Sequence, residues 1–172
     1  MNPRRSVLLT AAVVAAAIGL AGCTPGPAPT PTPTPLFTSE AEAFKAAEQV
    51  FRDYIDAANS AQDDPSADPQ TFLAGRALED DIKSERDLDA AGHRITGRTV
   101  VTGYASASYD PDASTVKGRA CLDVTNTQTL DAQGRDITKS SRAPVVAVDL
   151  TFAGIANSLK IVSIAPSKES CP

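Results

Sequence analysis

Gly92 divides this chain into two textures. Before it, apolar residues recur at helical spacing. After it, Thr, Val, Ser and Tyr gather in runs separated by short turns. Helices followed by strands pack as segregated layers, so the order predicts an α+β domain. Ser39 followed by Glu42 reads as a capping box. Phe44, Ala47, Phe51, Tyr54, Ile55 and Ala58 then recur at three- and four-residue spacing, which puts the large side chains on one face. This helix is expected to end near Ala61, ahead of Asp63-Asp64-Pro65. Asp68-Pro69 opens a second, short helix with aspartate as N-cap and proline at its first position. Phe72 and Leu73 form its buried side, and Gly75 its end. Leu78, Ile82 and Leu88 predict a third helix closed by Gly92, with Glu79, Asp80 and Asp81 in its first turn.

Residues 96–109, 116–124, 145–152 and 159–165 read as strands. Turns are expected at Asp110-Pro111-Asp112, at Ala132-Gln133-Gly134-Arg135 and over 154–158. Four strands joined by short turns make an antiparallel meander. This element order resembles the NTF2-like cone, in which a long helix and two shorter ones lie across a bent sheet. Phe44, Phe51, Tyr54 and Ile55 on the long helix carry the resemblance, with Phe72, Leu73 and Leu78 on the short ones. It covers residues 38–166. It implies N-terminal helices packed on a curved four-stranded antiparallel sheet. Members of that fold usually carry a small strand or hairpin early in the sheet, and no segment here reads as one. A cystatin-like layout, one helix against four strands, is the alternative.

The N-terminus has the layout of a secretory leader: Arg4 and Arg5, an apolar run from Val7, then small residues. Leu20-Ala21-Gly22-Cys23 resembles the lipobox of bacterial lipoproteins, whose cysteine is lipidated and becomes the first residue. The resemblance implies a signal peptide over 1–22 and acylation of Cys23, palmitate included. It also implies anchoring on the extracytoplasmic face of the cell membrane. An ordinary secretory signal with an incidental cysteine is the alternative. A second acyl chain matters, because one chain holds only marginally. No later apolar stretch approaches the roughly 20 residues of a membrane-spanning helix. Residues 24–35 carry proline at every second position, which favours polyproline II. At about 3.1 Å per residue they would make a spacer of roughly 37 Å. The chain thus divides into a leader (1–22), a lipidated cysteine with its Pro/Thr tether (23–37) and one domain (38–172). Its Ala-rich, Arg-over-Lys composition is similar to that of secreted actinobacterial lipoproteins with such a tether.

Removal of the leader leaves 14 basic against 21 acidic residues, a net charge of −7. With no basic patch, this argues against nucleic acid as a partner. With Cys23 lipidated, Cys121 and Cys171 are expected to form a disulfide, as in other exported proteins. Its loop of about 51 residues is worth on the order of 4 kcal/mol. One histidine and no C-x-x-C leave no metal site legible, and nothing requires a cofactor.

Asp149 interrupts an apolar strand. Facing inward with Tyr54 and Tyr104, it would line a ligand pocket, and burial would raise its pKa as a general base needs. Alternation beside Val145 and Ala147 would instead put it on a wet face. Asp123 shares the parity of Cys121 and is expected to face outward. His93 follows a helix-stop glycine and is expected in solvent. No Gly-x-Ser-x-Gly or Ser-x-x-Lys occurs, so no catalytic residue is assigned. The clusters Asp63-Asp64 with Asp68, Glu79-Asp80-Asp81, and Asp110 with Asp112 match no calcium loop and read as caps and turns. The expectation is a membrane-anchored, non-catalytic interaction or accessory module with an envelope protein as partner. The alternatives are a cone that binds a small apolar ligand or lipid, and an enzyme built on Asp149.

Overall fold

The structure, a computed structural model, describes residues 36–171. The leader, Cys23 and residues 24–35 lie outside the described residues. Helix α1 spans Glu40–Ser60, close to its expected bounds. Ser39 Oγ accepts from the Glu42 N–H at 3.2 Å, as a cap should. The Glu42 carboxylate reaches back one residue further than the motif predicts, accepting from the Thr38 N–H and hydroxyl. Ala43, Ala47, Phe51, Ile55 and Asn59 recur every fourth residue and are buried.

The next segment differs from expectation. Asp68 caps the Gln70 N–H, but Pro69–Phe72 is a single 3-10 turn. The chain then runs extended, and Leu73 bridges Ile161 in parallel. Gly75 does not end a helix. At φ +52°, a conformation cheap only for glycine, it opens helix α2, Gly75–Ala91. The acidic residues 79–81 therefore fall in the second turn, since the first holds no acidic residue. Gly92 closes α2 in the left-handed conformation, as expected.

The main sheet is the expected antiparallel meander, except that its two middle strands are joined by the long segment 124–144 and not by a short turn at 132–135. Strands β2 (Val100–Asp110), β3 (Thr115–Asp123), β5 (Val145–Ile155) and β6 (Ser158–Pro166) lie in that order. The fold is thus α+β, with helices packed on a four-stranded antiparallel sheet, consistent with an NTF2-like arrangement. Register shifts at 101/103, 106/108 and 151/152 bend the strands. Two short strands were not legible: β1 (Arg94–Thr96) and β4 (Gln128–Leu130) pair in a separate two-stranded sheet. β1 is an early short strand, but it lies outside the four-stranded sheet.

Alternation decides the faces. Val116, Ala120, Leu150, Phe152, Leu159 and Ile161 pack toward the helices with Phe51 and form the core. Lys117, Arg119, Cys121 and Asp123 share the opposite parity with their β5 register partners Thr151, Asp149, Ala147 and Val145.

Helix α1 runs antiparallel to β2. Phe37 meets Tyr109 at 6.2 Å between ring centroids, and Phe51 meets Tyr104 at 6.5 Å. At the far end the Asn59 amide donates to the Thr99 carbonyl and accepts from the Thr99 N–H, both at 2.9 Å. Leu36 lies over Gly154, its Cδ2 3.2 Å from where a Cβ there would stand. The polypeptide therefore enters the domain beside the hairpin tips, and α1 carries it to the opposite end of the sheet. No helix among the described residues is long and apolar enough to cross a membrane.

Candidate functional site

Tyr54, Tyr104 and Asp149 do not converge. Asp149 sits on the outer face, paired in register with Arg119, whose Nε donates to Asp149 Oδ1 at 2.8 Å. That hydrogen bond holds the Asp149 carboxyl below the usual carboxylate range. A general base needs the reverse, so the inward-facing reading of Asp149 is corrected: alternation along β5 puts it outside. Tyr104 lies on the inner face against Phe51 and Gly118. A Cβ at position 118 would stand 2.5 Å from the Tyr104 hydroxyl, so only glycine admits the ring there. The Tyr104 hydroxyl is buried with no hydrogen-bond partner among the described residues. Burial pushes it up to about 12.

Tyr54 flanks Phe51 at 6.2 Å. It too is pushed up to about 12, by burial first and then by the negative charges of Asp81 and Glu85. Burial raises Asp81, and burial with the charge of Asp81 raises Glu85. Gln70 Nε2 donates to both carboxylates, at 3.2 Å to Asp81 and 2.8 Å to Glu85. Among the described residues no group of three or more His, Cys, Asp or Glu is placed to hold a metal ion.

The outer face carries a strap. Past β6, the Ser167 N–H donates to the Ala147 carbonyl at 2.9 Å, Glu169 pairs with Arg119, and Cys171 is bonded to Cys121. The last residues thus cross from β5 to β3. Beside them lies a groove of about 550 Å³, bordered by Ala105, Lys117, Thr151 and the triad Arg119, Asp149 and Glu169. Its two cations face two carboxylates, and Arg119 already holds both acids, so the groove is electrically self-satisfied.

The opposite end of the sheet is different. Residues 124–144 connect β3 to β5 and carry β4. Arg142 pins this connection, donating to the carbonyls of Val124 (2.9 Å) and Thr127 (2.6 Å) and to Thr127 Oγ1 (2.7 Å). Asp131, 6% exposed, organises its turn by accepting from the N–H groups of Gln133 and Arg135 and from Arg135 Nε. Gly97 crosses close to Asn126, where a Cβ would come within 1.8 Å of the carbonyl oxygen. A hollow of about 480 Å³ opens here, lined by His93, Ile137, Lys139, Arg142 and the hydroxyls of Thr129 and Thr138. His93, expected in solvent, is half-buried between this hollow and one on α2 lined by Asp80, Lys83 and Asp87. Four exposed aliphatic side chains lie on the segments at this end of the sheet, Ile95 (49%), Val100 (52%), Ile137 (41%) and Val145 (40%), and of these Ile137 lines the hollow. Val100 and Val145 flank Asp123 in one row across the sheet. Ile95 neighbours Ile137 through Thr129, which pairs with the first and accepts from the N–H of the second. The signal in the sequence was the length of the β3–β5 connection, far beyond a hairpin turn.

No protein-family model matches this chain, and no curated protein matches it. Among solved structures it is similar to the intermembrane space region of the chloroplast protein ARC6. The identity is 15%, over 72% of this chain and 97% of that one, with a TM-score of 0.41.

Proposed function

We propose that this chain is a lipid-anchored extracytoplasmic protein whose domain is a non-catalytic interaction module of the cell envelope. One observation carries the reading: four of the five exposed large aliphatic side chains among the described residues lie at or just beyond the end of the sheet opposite the hairpin tips, Val100 and Val145 at its strand ends, Ile95 and Ile137 in one row across β4. Exposed apolar clusters mark contact surfaces more often than scattered single residues do. The described residues begin beside the hairpin tips, at the other end of the sheet from that cluster. The lipobox at Leu20–Cys23 supports the anchor.

A photoreactive amino acid at Val100 of the full chain, in intact cells of its host, tests the reading. We expect a covalent adduct with an envelope protein and none from a control position at Glu79 on α2. Palmitate labelling is expected to vanish in Cys23→Ala. Unlinked chain from both Val100 and Val145 would end the module reading. A second reading, an apolar ligand between helices and sheet, has one observation in its favour: the buried, unpartnered Tyr104 hydroxyl.

A further inference from the structure

We propose that the hollow between β4 and the 137–142 segment docks an acidic, apolar-interspersed peptide segment of the partner protein. This deepens the interaction-module reading and rests on it. Charge separates this end from the rest of the molecule. Residues 93–98 and 124–142 hold Arg94, Arg98, Arg135, Lys139 and Arg142 against Asp131 and Asp136. The rest of residues 36–172 holds nine basic and 19 acidic residues. A net-positive patch on so acidic a body is an electrostatic target for an anionic partner, which the remaining surface repels.

The cations at the hollow are also available. Arg98 is paired with Asp63 at 3.5 Å and Arg135 with Asp131 at 2.7 Å. Lys139 and Arg142 form no salt bridge with any carboxylate among the described residues. The guanidinium of Arg142 is oriented by the carbonyls of Val124 and Thr127, and the only carboxylate its charge reaches among the described residues is Asp136, outside the hollow. No carboxylate lines the hollow. His93 and the hydroxyls of Thr129 and Thr138 add polar contacts to the two cations.

Ile137 decides the class of ligand. It lines the hollow 41% exposed, with Ile95 one strand away. A lone phosphate would engage the cations and hydroxyls and leave both isoleucines wet. A segment alternating Asp or Glu with Val, Ile or Leu would cover all of them at once, because neighbouring side chains of an extended chain point to opposite sides.

The test uses the full chain in host membranes, read by photocapture from Ile95, whose register partner Thr129 lines the hollow, and by zero-length carbodiimide coupling of amines to carboxylates. The expected coupling product joins Lys139 to an Asp or Glu in an acidic, apolar-rich peptide of another protein. Lys139→Glu should lower photocapture from Ile95 roughly tenfold or more, because it sets like charges against each other. Lys139→Arg should preserve photocapture while abolishing the coupling. Photocapture undiminished in Lys139→Glu would overturn the hollow and leave the module reading intact. Coupling of Lys139 to a phosphate-bearing polymer with no peptide mass would overturn the peptide class. No adduct from any position would overturn both.

Discussion

Tyr104 is the residue whose environment is least resolved by its neighbours. Its ring packs against Phe51 over a gap that only Gly118 leaves open, and its hydroxyl is desolvated without a partner. A buried hydroxyl in that state costs stability, so Tyr104→Phe is expected to raise unfolding free energy by about 1 kcal/mol in chemical denaturation. If a ligand in the host answers the hydroxyl, protein extracted from that host behaves in the opposite way. Its melting temperature falls in Tyr104→Phe, and native mass spectrometry of the unmutated chain shows an added mass. Asp149 shows the same logic in reverse. Arg119, whose Nε donates to it, holds its carboxyl below the usual range on the outer face.

At the scale of elements, α2 meets α1 through an acidic cluster that pH will tune. Asp81 and Glu85 have their pKa values raised by the fold, so the folded state holds protons the unfolded chain would release. Their contribution to stability is fully present below the ordinary carboxylate values, near pH 4, and is lost as pH rises through the raised ones. Asp131, Asp149 and Asp136 are lowered by their hydrogen bonds and act in the other window, losing stability as pH falls below about 4. Melting curves across pH should therefore show a decline above pH 4 that disappears in Asp81→Asn/Glu85→Gln, while the acid limb remains.

The same elements show what could be read in advance. α1 was legible almost to the residue because its cap and its four-residue apolar repeat agree. The four long strands were legible because alternation and turn chemistry coincide, as at Asp110, whose Oδ1 accepts from the N–H groups of Asp112 and Ala113. Gly75 reads in the sequence as a stop and is in fact a start, because a glycine between two apolar stretches can do either. Only the extended backbone at Leu73, paired to Ile161, decides between them. β1 and β4 have three residues each, too few for any period to register. The cationic hollow depends on pairing between segments some thirty residues apart, which no local pattern encodes. The disulfide was legible from the count of cysteines alone, once the leader-like N-terminus made export the expectation.

At the scale of the whole molecule, the Cys121–Cys171 bond ties the C-terminus across the sheet's outer face. Replacing both cysteines by serine should cost on the order of 4 kcal/mol in denaturant unfolding. Trypsin should then cleave at Lys168 in the strap well before the domain unfolds. The two ends of the molecule are joined by one further element. Helix α1 starts beside the point of entry and, over 21 residues, reaches Asn59, whose amide grips the backbone just ahead of β2. At about 1.5 Å per residue it is a rod of some 30 Å. If the chain is held at both ends, tension would travel along that rod. Its hydrogen bonds lie parallel to the pull, and the strain would arrive at the two side chains that join its far end to the backbone ahead of β2, Asn59 on Thr99 and Gln62 on Gly97. That pair would then be the mechanical fuse of the domain, the joint at which tension and fold stability part company.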